Sequence, residues 1–141
     1  MIKSCSVLFL LLLACPLSYA QNENNAIKGV LNASQVNFTD NQTVSLLGEW
    51  EFYWNKLLEP KDFETPRITP DYIKVPSVWN DHFFKGEELK GQGYATYRLK
   101  LITSNAPKLL ALEAPNVYTS YKLFINGELI SQNGSVGKTQ Q

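Results

Sequence analysis

Hydrophobic and polar residues alternate with a period of two along several short segments of this chain. The clearest alternation covers residues 48–54, where one face carries Trp50, Phe52 and Trp54 and the other carries Glu49, Glu51 and Tyr53. Successive side chains of a β-strand point to opposite faces, so this segment is predicted to be a half-buried strand. We expect its aromatic face to line the core and its other face to meet solvent.

Further strands are predicted at short intervals, at residues 72–75, 93–103, 108–114, 118–125 and 128–131. The last two flank Asn126-Gly127, a strong hairpin signal because both turn positions need a positive φ that these residue types adopt easily. A single helical turn is predicted within residues 56–63, and residues 80–93 are expected to form a polar surface excursion. Short strands separated by Gly/Pro turns, without βαβ alternation, predict an all-β sandwich or jelly roll.

The first twenty residues have a different pattern. Lys3 precedes an apolar run at residues 7–14, and Ser18 and Ala20 place small side chains at the −3 and −1 positions before Gln21. This order is typical of a cleavable secretory signal peptide over residues 1–20, because the run is shorter than the roughly 20 apolar residues of a spanning helix. The alternative is lipidation at Cys15, since Leu-Leu-Ala-Cys at residues 12–15 loosely resembles a lipoprotein box. Either route predicts an exported protein.

Residues 21–43 are rich in Asn and Gln and poor in large apolar side chains. They are predicted to be a polar, exposed leader with candidate edge strands at residues 29–31 and 36–38, and the folded domain is predicted to occupy residues 44–141. Both cysteines, Cys5 and Cys15, lie in the predicted signal peptide. Cleavage after Ala20 would therefore leave no disulfide and no thiolate metal site.

The charged residues exclude several classes of function. Thirteen basic and thirteen acidic residues give a net charge of zero without a basic stripe, so nucleic acid is not an expected partner. His82 is the only histidine, which excludes a metal site built from several imidazoles, and no serine lies in a nucleophile-elbow pattern. We expect no catalytic residue, no cofactor and no metal within this chain.

Ligand binding is better supported by the residue types. Sugars are commonly held by an aromatic face together with a few planar polar side chains. Both kinds of group occur in one loop and on the polar face of the next predicted strand, which makes the candidate ligand-binding residues Trp79, Asn80, His82, Tyr94 and Arg98. The alternative is that Trp79 caps the core and that Arg98 pairs with a nearby carboxylate.

Five motifs in order carry a family resemblance: residues 44–58 (VSLLGEWEFYWNKLL), 75–80 (VPSVWN), 93–99 (GYATYRL), 123–129 (LFINGEL) and 134–137 (GSVG). Together they resemble the N-terminal periplasmic domain of bacterial seven-transmembrane receptors with diverse intracellular signalling modules. The resemblance covers roughly residues 30–139 and implies a galactose-binding-like jelly roll. It also implies a periplasmic sensor for a carbohydrate or another small molecule. The Val-Pro-x-x-Trp, Tyr-x-Arg and Asn-Gly motifs are more weakly similar to the sugar-binding domain of family 2 glycoside hydrolases.

In the receptor family this domain continues into further strands, seven membrane helices and an output domain. The resemblance therefore implies that this chain is a fragment whose parent is anchored in the inner membrane, with any catalytic output in the missing part. On this interpretation the chain itself would contact a membrane only through that missing part or through a lipid on Cys15. The remaining alternatives are an accessory domain of a secreted glycoside hydrolase and a structural spacer without ligand.

Overall fold

The computed structural model describes residues 25–38, 42–65, 68–104, 110–114 and 117–138. These residues are mostly strands with almost no helix, which confirms the all-β class. The predicted signal peptide, with Cys15, lies outside them. Nine strands are present in the described part of the chain: β1 (Val30–Asn32), β2 (Gly48–Trp54), β3 (Asp71–Val75), β4 (Phe83–Phe84), β5 (Glu87–Glu88), β6 (Ala95–Arg98), β7 (Lys100–Ile102), β8 (Tyr121–Ile125) and β9 (Glu128–Asn133).

Helical structure is minor. Two short 3₁₀ helices, Pro60–Phe63 and Trp79–Asp81, occur in the described ranges. The first lies within residues 56–63, where a single helical turn is predicted. Within these same ranges no helix has the length and apolar character needed to cross a membrane.

The central sheet has the antiparallel order β3-β2-β6. Its apolar face packs around Phe52, Ile73 and Leu89, which are at most 6% exposed, with six partly buried side chains against them: Trp54, Val75, Trp79, Phe84, Ala95 and Tyr97. The aromatic inner face of β2 is thus confirmed at Phe52 and Trp54. Trp50 is half-buried and its indole Nε1 donates to the Leu46 carbonyl oxygen at 2.9 Å.

The opposite face of the central sheet is less exposed than the alternation in β2 predicts. Tyr53 is 3% exposed, because the 3₁₀ helix Pro60–Phe63 covers it and the Phe63 ring meets the Tyr53 ring edge-on at 5.4 Å. The expectation that Tyr53 faces solvent is wrong. A strand's period of two separates its faces but does not reveal what covers the second face.

The segment before β2 is part of the fold. β1 pairs in parallel with β7, and Ala26, Leu31 and Ala33 are buried. Of the two candidate edge strands, the first matches β1, whereas residues 36–38 form no strand. Residues 26–33 are therefore not an exposed leader, since three small or apolar side chains fill space between this segment and the strands beside it.

The single strand predicted at residues 93–103 is two strands, separated at Leu99. β6 pairs with β2 in the central sheet, whereas β7 pairs with β1 in a separate two-stranded sheet. The alternation of residue types continues through the break, so the sequence pattern does not reveal the change of partner.

Two hairpins complete the described strands. β8 and β9 are joined at Asn126 and Gly127, with φ of 51° and 91°, which confirms the predicted turn. The predicted surface excursion contains a second hairpin, β4–β5, turning at Lys85 and Gly86 with φ of 52° and 86°. Of the strand predicted at residues 108–114, residues 110–114 form no strand, and residues 108–109 lie outside the described residues.

Candidate functional site

β3 forms an edge of the central sheet, so half of its backbone groups point away from β2. In an antiparallel pair, residues that bond the partner strand alternate with residues whose N–H and C=O groups face outward. The Tyr72 carbonyl oxygen lies 3.1 Å from His82 Nε2, and the Lys74 carbonyl oxygen accepts a hydrogen bond from Ser77 Oγ. Both bonds come from outside the sheet. Tyr72 and Lys74 are therefore the outward-facing residues of this edge.

A groove of about 350 Å³ runs beside this edge. We call it the edge groove, and its lining residues are Glu49, Tyr72, Lys74, Ser77, Val78 and His82. A second groove of about 510 Å³ continues from it and is lined by residues 25–27, 47–49 and 74–76. Glu49 and Lys74 line both grooves because they stand opposite each other on β2 and β3. This pair therefore borders both grooves.

The two charged side chains of the edge groove, Glu49 and Lys74, differ in whether they have a partner. Glu49 Oε2 accepts the backbone N–H of Lys28 at 3.2 Å, so this carboxylate is held toward the N-terminal segment. The ion pairs among the described residues are Lys61–Glu59 and Arg98–Glu51, which leaves the Lys74 ammonium without a carboxylate within 4.0 Å there. Tyr72 is 37% exposed and offers an aromatic surface beside these charges. The groove therefore combines the groups that bind polar ring-shaped ligands.

The structure places three of the predicted site residues next to this edge. Trp79 is directed into the core, with its ring edge-on to Trp54 at 5.4 Å, which is the core-capping alternative. Asn80 is exposed in the same 3₁₀ helix. His82 lines the edge groove, with its ring edge toward Phe52 at 6.3 Å. Of these residues, His82 is the one whose side chain lines the groove.

Tyr94 and Arg98 lie at the opposite edge of the central sheet, just before and in β6. The Tyr94 carbonyl accepts the Asn55 N–H at 2.9 Å just before β6 begins. Arg98 pairs with Glu51 at 3.3 Å and lies over the Phe63 ring at 4.6 Å, which is the carboxylate-pairing alternative. Because β2 separates β6 from β3, Arg98 is not brought together with His82.

The sequence pattern does not identify the other five groove residues, which are Glu49, Tyr72, Lys74, Ser77 and Val78. The strand at residues 72–75 is predicted correctly, but its pattern does not say which strands flank it. Pro70 and Pro76 were the available signal, because proline cannot donate a ladder hydrogen bond and concentrates at edge strands and strand ends. Prolines on both sides of a short strand favour an edge position.

Glu51, Tyr53 and Arg98 form a cluster beneath Phe63. The Tyr53 hydroxyl donates to Glu51 Oε2 at 2.8 Å, and Arg98 reaches the same oxygen. Burial, and then the hydrogen bond and charge of Glu51, raise the pKa of Tyr53 to about 12, against an ordinary value of 10.0. Glu51 is therefore a partly buried hydrogen-bond acceptor and not a solvated surface carboxylate.

This raised pKa predicts a loss of stability in alkali. Folding favours the neutral phenol, so the contribution of Tyr53 is fully present below pH 10 and is lost as the pH rises from 10 toward 12. Tyr53→Phe should make urea-denaturation midpoints less steeply dependent on pH in this window. Some dependence should remain, because burial also raises the pKa of Tyr97. Tyr118→Phe, at a side chain 93% exposed, is the control and should leave the slope unchanged.

Across the described ranges, no three His, Cys, Asp or Glu side chains are grouped so as to hold a metal ion. No protein-family model, no curated protein and no solved structure matches this chain. The features of this chain that indicate a function are therefore the edge groove and the sequence motifs.

Proposed function

We propose that this chain is the extracytoplasmic ligand-binding module of a bacterial transmembrane signalling receptor, with a galactose-binding-like jelly-roll fold, and that it binds a carbohydrate in the edge groove. The observation that carries the proposal is the position of the half-exposed Tyr72 beside Glu49, Lys74 and His82 in one concave surface. The predicted signal peptide at residues 1–20 supports the export of such a module.

The receptor part of the proposal is supported by where the family motifs fall. The 48–54 part of the first motif is β2, and the second motif starts at the last residue of β3. The third motif contains β6, and the fourth spans the turn between β8 and β9. Four of the five motifs therefore include strand or hairpin-turn residues, and the second contains the groove residues Ser77 and Val78.

The carbohydrate part follows from the groups available. A pyranose ring has apolar C–H faces and an equatorial belt of hydroxyls, so it needs an aromatic surface and several hydrogen-bond partners. Tyr72 supplies the surface. Glu49 accepts hydrogen bonds, Lys74 donates them, and His82 also lines the groove.

Tyr72→Ala tests this placement. With the full chain titrated against a glycan panel and followed by tryptophan fluorescence, the variant should bind roughly tenfold more weakly, because a sugar-facing aromatic side chain contributes on the order of 1–2 kcal/mol. Tyr118→Ala removes an equally large exposed ring away from the groove and should bind as the unchanged chain does. Full affinity in Tyr72→Ala would exclude the edge groove. A panel without any binder would exclude carbohydrate binding.

A further inference from the structure

The edge of β3 offers hydrogen-bond donors and almost no free acceptors. Its two outward carbonyls, those of Tyr72 and Lys74, are occupied by His82 and Ser77. The N–H groups of the same two residues point to the same side, because both backbone groups of a strand residue face one way. Within the described part of the chain, neither N–H makes a backbone hydrogen bond outside the strand ladder, and the ladder lies on the opposite side of β3. The edge therefore presents two backbone donors about 7 Å apart, the spacing of residues i and i+2 in a strand.

The Lys74 side chain adds charge to this donor set. Its ammonium has three further donors and no ion-pair partner within the described ranges. Capped carbonyls also keep the edge from accepting another strand, since an added strand would need them as acceptors. An extended peptide is therefore a poor occupant, whereas a ligand with strong acceptor oxygens fits.

We propose that the ligand of the edge groove is an acidic saccharide, a sugar carrying a carboxylate such as a uronic acid, with the carboxylate bound by Lys74 and a second oxygen by the Tyr72 N–H. This inference rests on the proposed function and narrows it to one class of carbohydrate. It assigns Lys74 as the residue that determines specificity.

Glu49 distinguishes an acidic sugar from a simple anion. Its carboxylate stands opposite Lys74 and accepts hydrogen bonds without donating any. A small anion without donors is repelled by Glu49. A uronic acid carries a carboxylate and hydroxyl donors on the same ring, so one sugar can interact with Glu49 and Lys74 together.

The test uses the full chain and three probes: a short oligogalacturonate, its methyl ester and sodium acetate. The ester keeps the sugar and removes the charge, and acetate keeps the charge and removes the sugar. In calorimetric titrations the acid should bind about tenfold or more tightly than the ester, because a charge-assisted hydrogen bond is lost. Acetate should not bind measurably. Added salt should weaken binding of the acid and leave binding of the ester nearly unchanged.

Variants locate the effect. Lys74→Met should lower the affinity for the acid to the affinity for the ester, whereas Lys74→Arg should keep most of the affinity for the acid. Lys122→Met, at an exposed lysine on β8, is the control and should leave both affinities unchanged. Equal binding of acid and ester, or an equal loss in Lys74→Met and Lys122→Met, would overturn the inference while the carbohydrate function stands. If neither these probes nor any neutral glycan binds, the proposed function itself fails.

Discussion

Replacing Phe52 with alanine is expected to lower the free energy of unfolding by about 4 kcal/mol, the largest loss we expect from any single truncation in this chain. Phe52 is 0% exposed and lies at the middle of the central sheet. Its ring stacks on Trp54 at 5.9 Å and packs at a tilt against Tyr97 at 5.2 Å. Truncation removes the burial of the ring and leaves a cavity that these rigid neighbours cannot fill.

Urea denaturation followed by tryptophan fluorescence measures this loss. The midpoint urea concentration should fall, while the slope of the unfolding free energy against urea concentration should stay unchanged. Domains of this size are stable by roughly 5–15 kcal/mol, so Phe52→Ala should leave little margin. Phe83→Ala is the matched control, because the same truncation at a side chain 70% exposed should change stability by at most about 0.5 kcal/mol. Similar losses in the two variants would show that Phe52 is not at the centre of the core.

Gly48→Ala is expected to cost about 3 kcal/mol or more, for two physical reasons that add. Gly48 has a φ of +112°, which side chains with a Cβ rarely adopt. An added Cβ would also overlap the backbone oxygen and nitrogen of Ala26. The same two atoms of Ala26 hold the N-terminal segment to β2 and to the residue before it. The Ala26 N–H donates to the Leu47 carbonyl oxygen at 2.7 Å, and the Ala26 carbonyl oxygen accepts the Glu49 N–H at 2.8 Å. The variant should therefore release the N-terminal segment.

Amide hydrogen exchange reads this release directly, as faster exchange at Ala26 and Gly29 together with a lower unfolding midpoint. Gly86→Ala separates the two causes, since Gly86 has a φ of +86° but open space around the added Cβ. That control should cost only about 1–2 kcal/mol. Unchanged protection of the N-terminal segment in Gly48→Ala would contradict the close approach of Ala26 to Gly48.

The elements predicted best are those specified by neighbouring residues. The alternation in residues 48–54 predicts β2, and Asn126-Gly127 predicts the hairpin because the two φ angles are a local requirement. The strand at residues 72–75 is also predicted from a short run of neighbouring residues. The sequence pattern does not predict the hairpin at Lys85 and Gly86, because its two-residue strands are too short for alternation to be visible.

The candidate site was predicted less well, because its parts come together through pairing between distant strands. Trp79 and His82 are three residues apart, yet one ring packs on Trp54 and the other lines the edge groove. The ionic partner of Arg98 is 47 residues away, across β2 and β6. No local pattern distinguishes these outcomes.

Local chemistry in the chain specifies an all-β fold, an aromatic strand at β2 and a hairpin at Asn126, because alternation and turn geometry depend on residues that are adjacent. The strand pairings decide the rest. They put β3 at the edge of its sheet, bury Tyr53 beneath Phe63, join β1 to β7 and bring Glu49 opposite Lys74. These contacts form between segments that are far apart along the chain, and the free energy that selects them comes from packing, which the order of residues in any one segment does not contain.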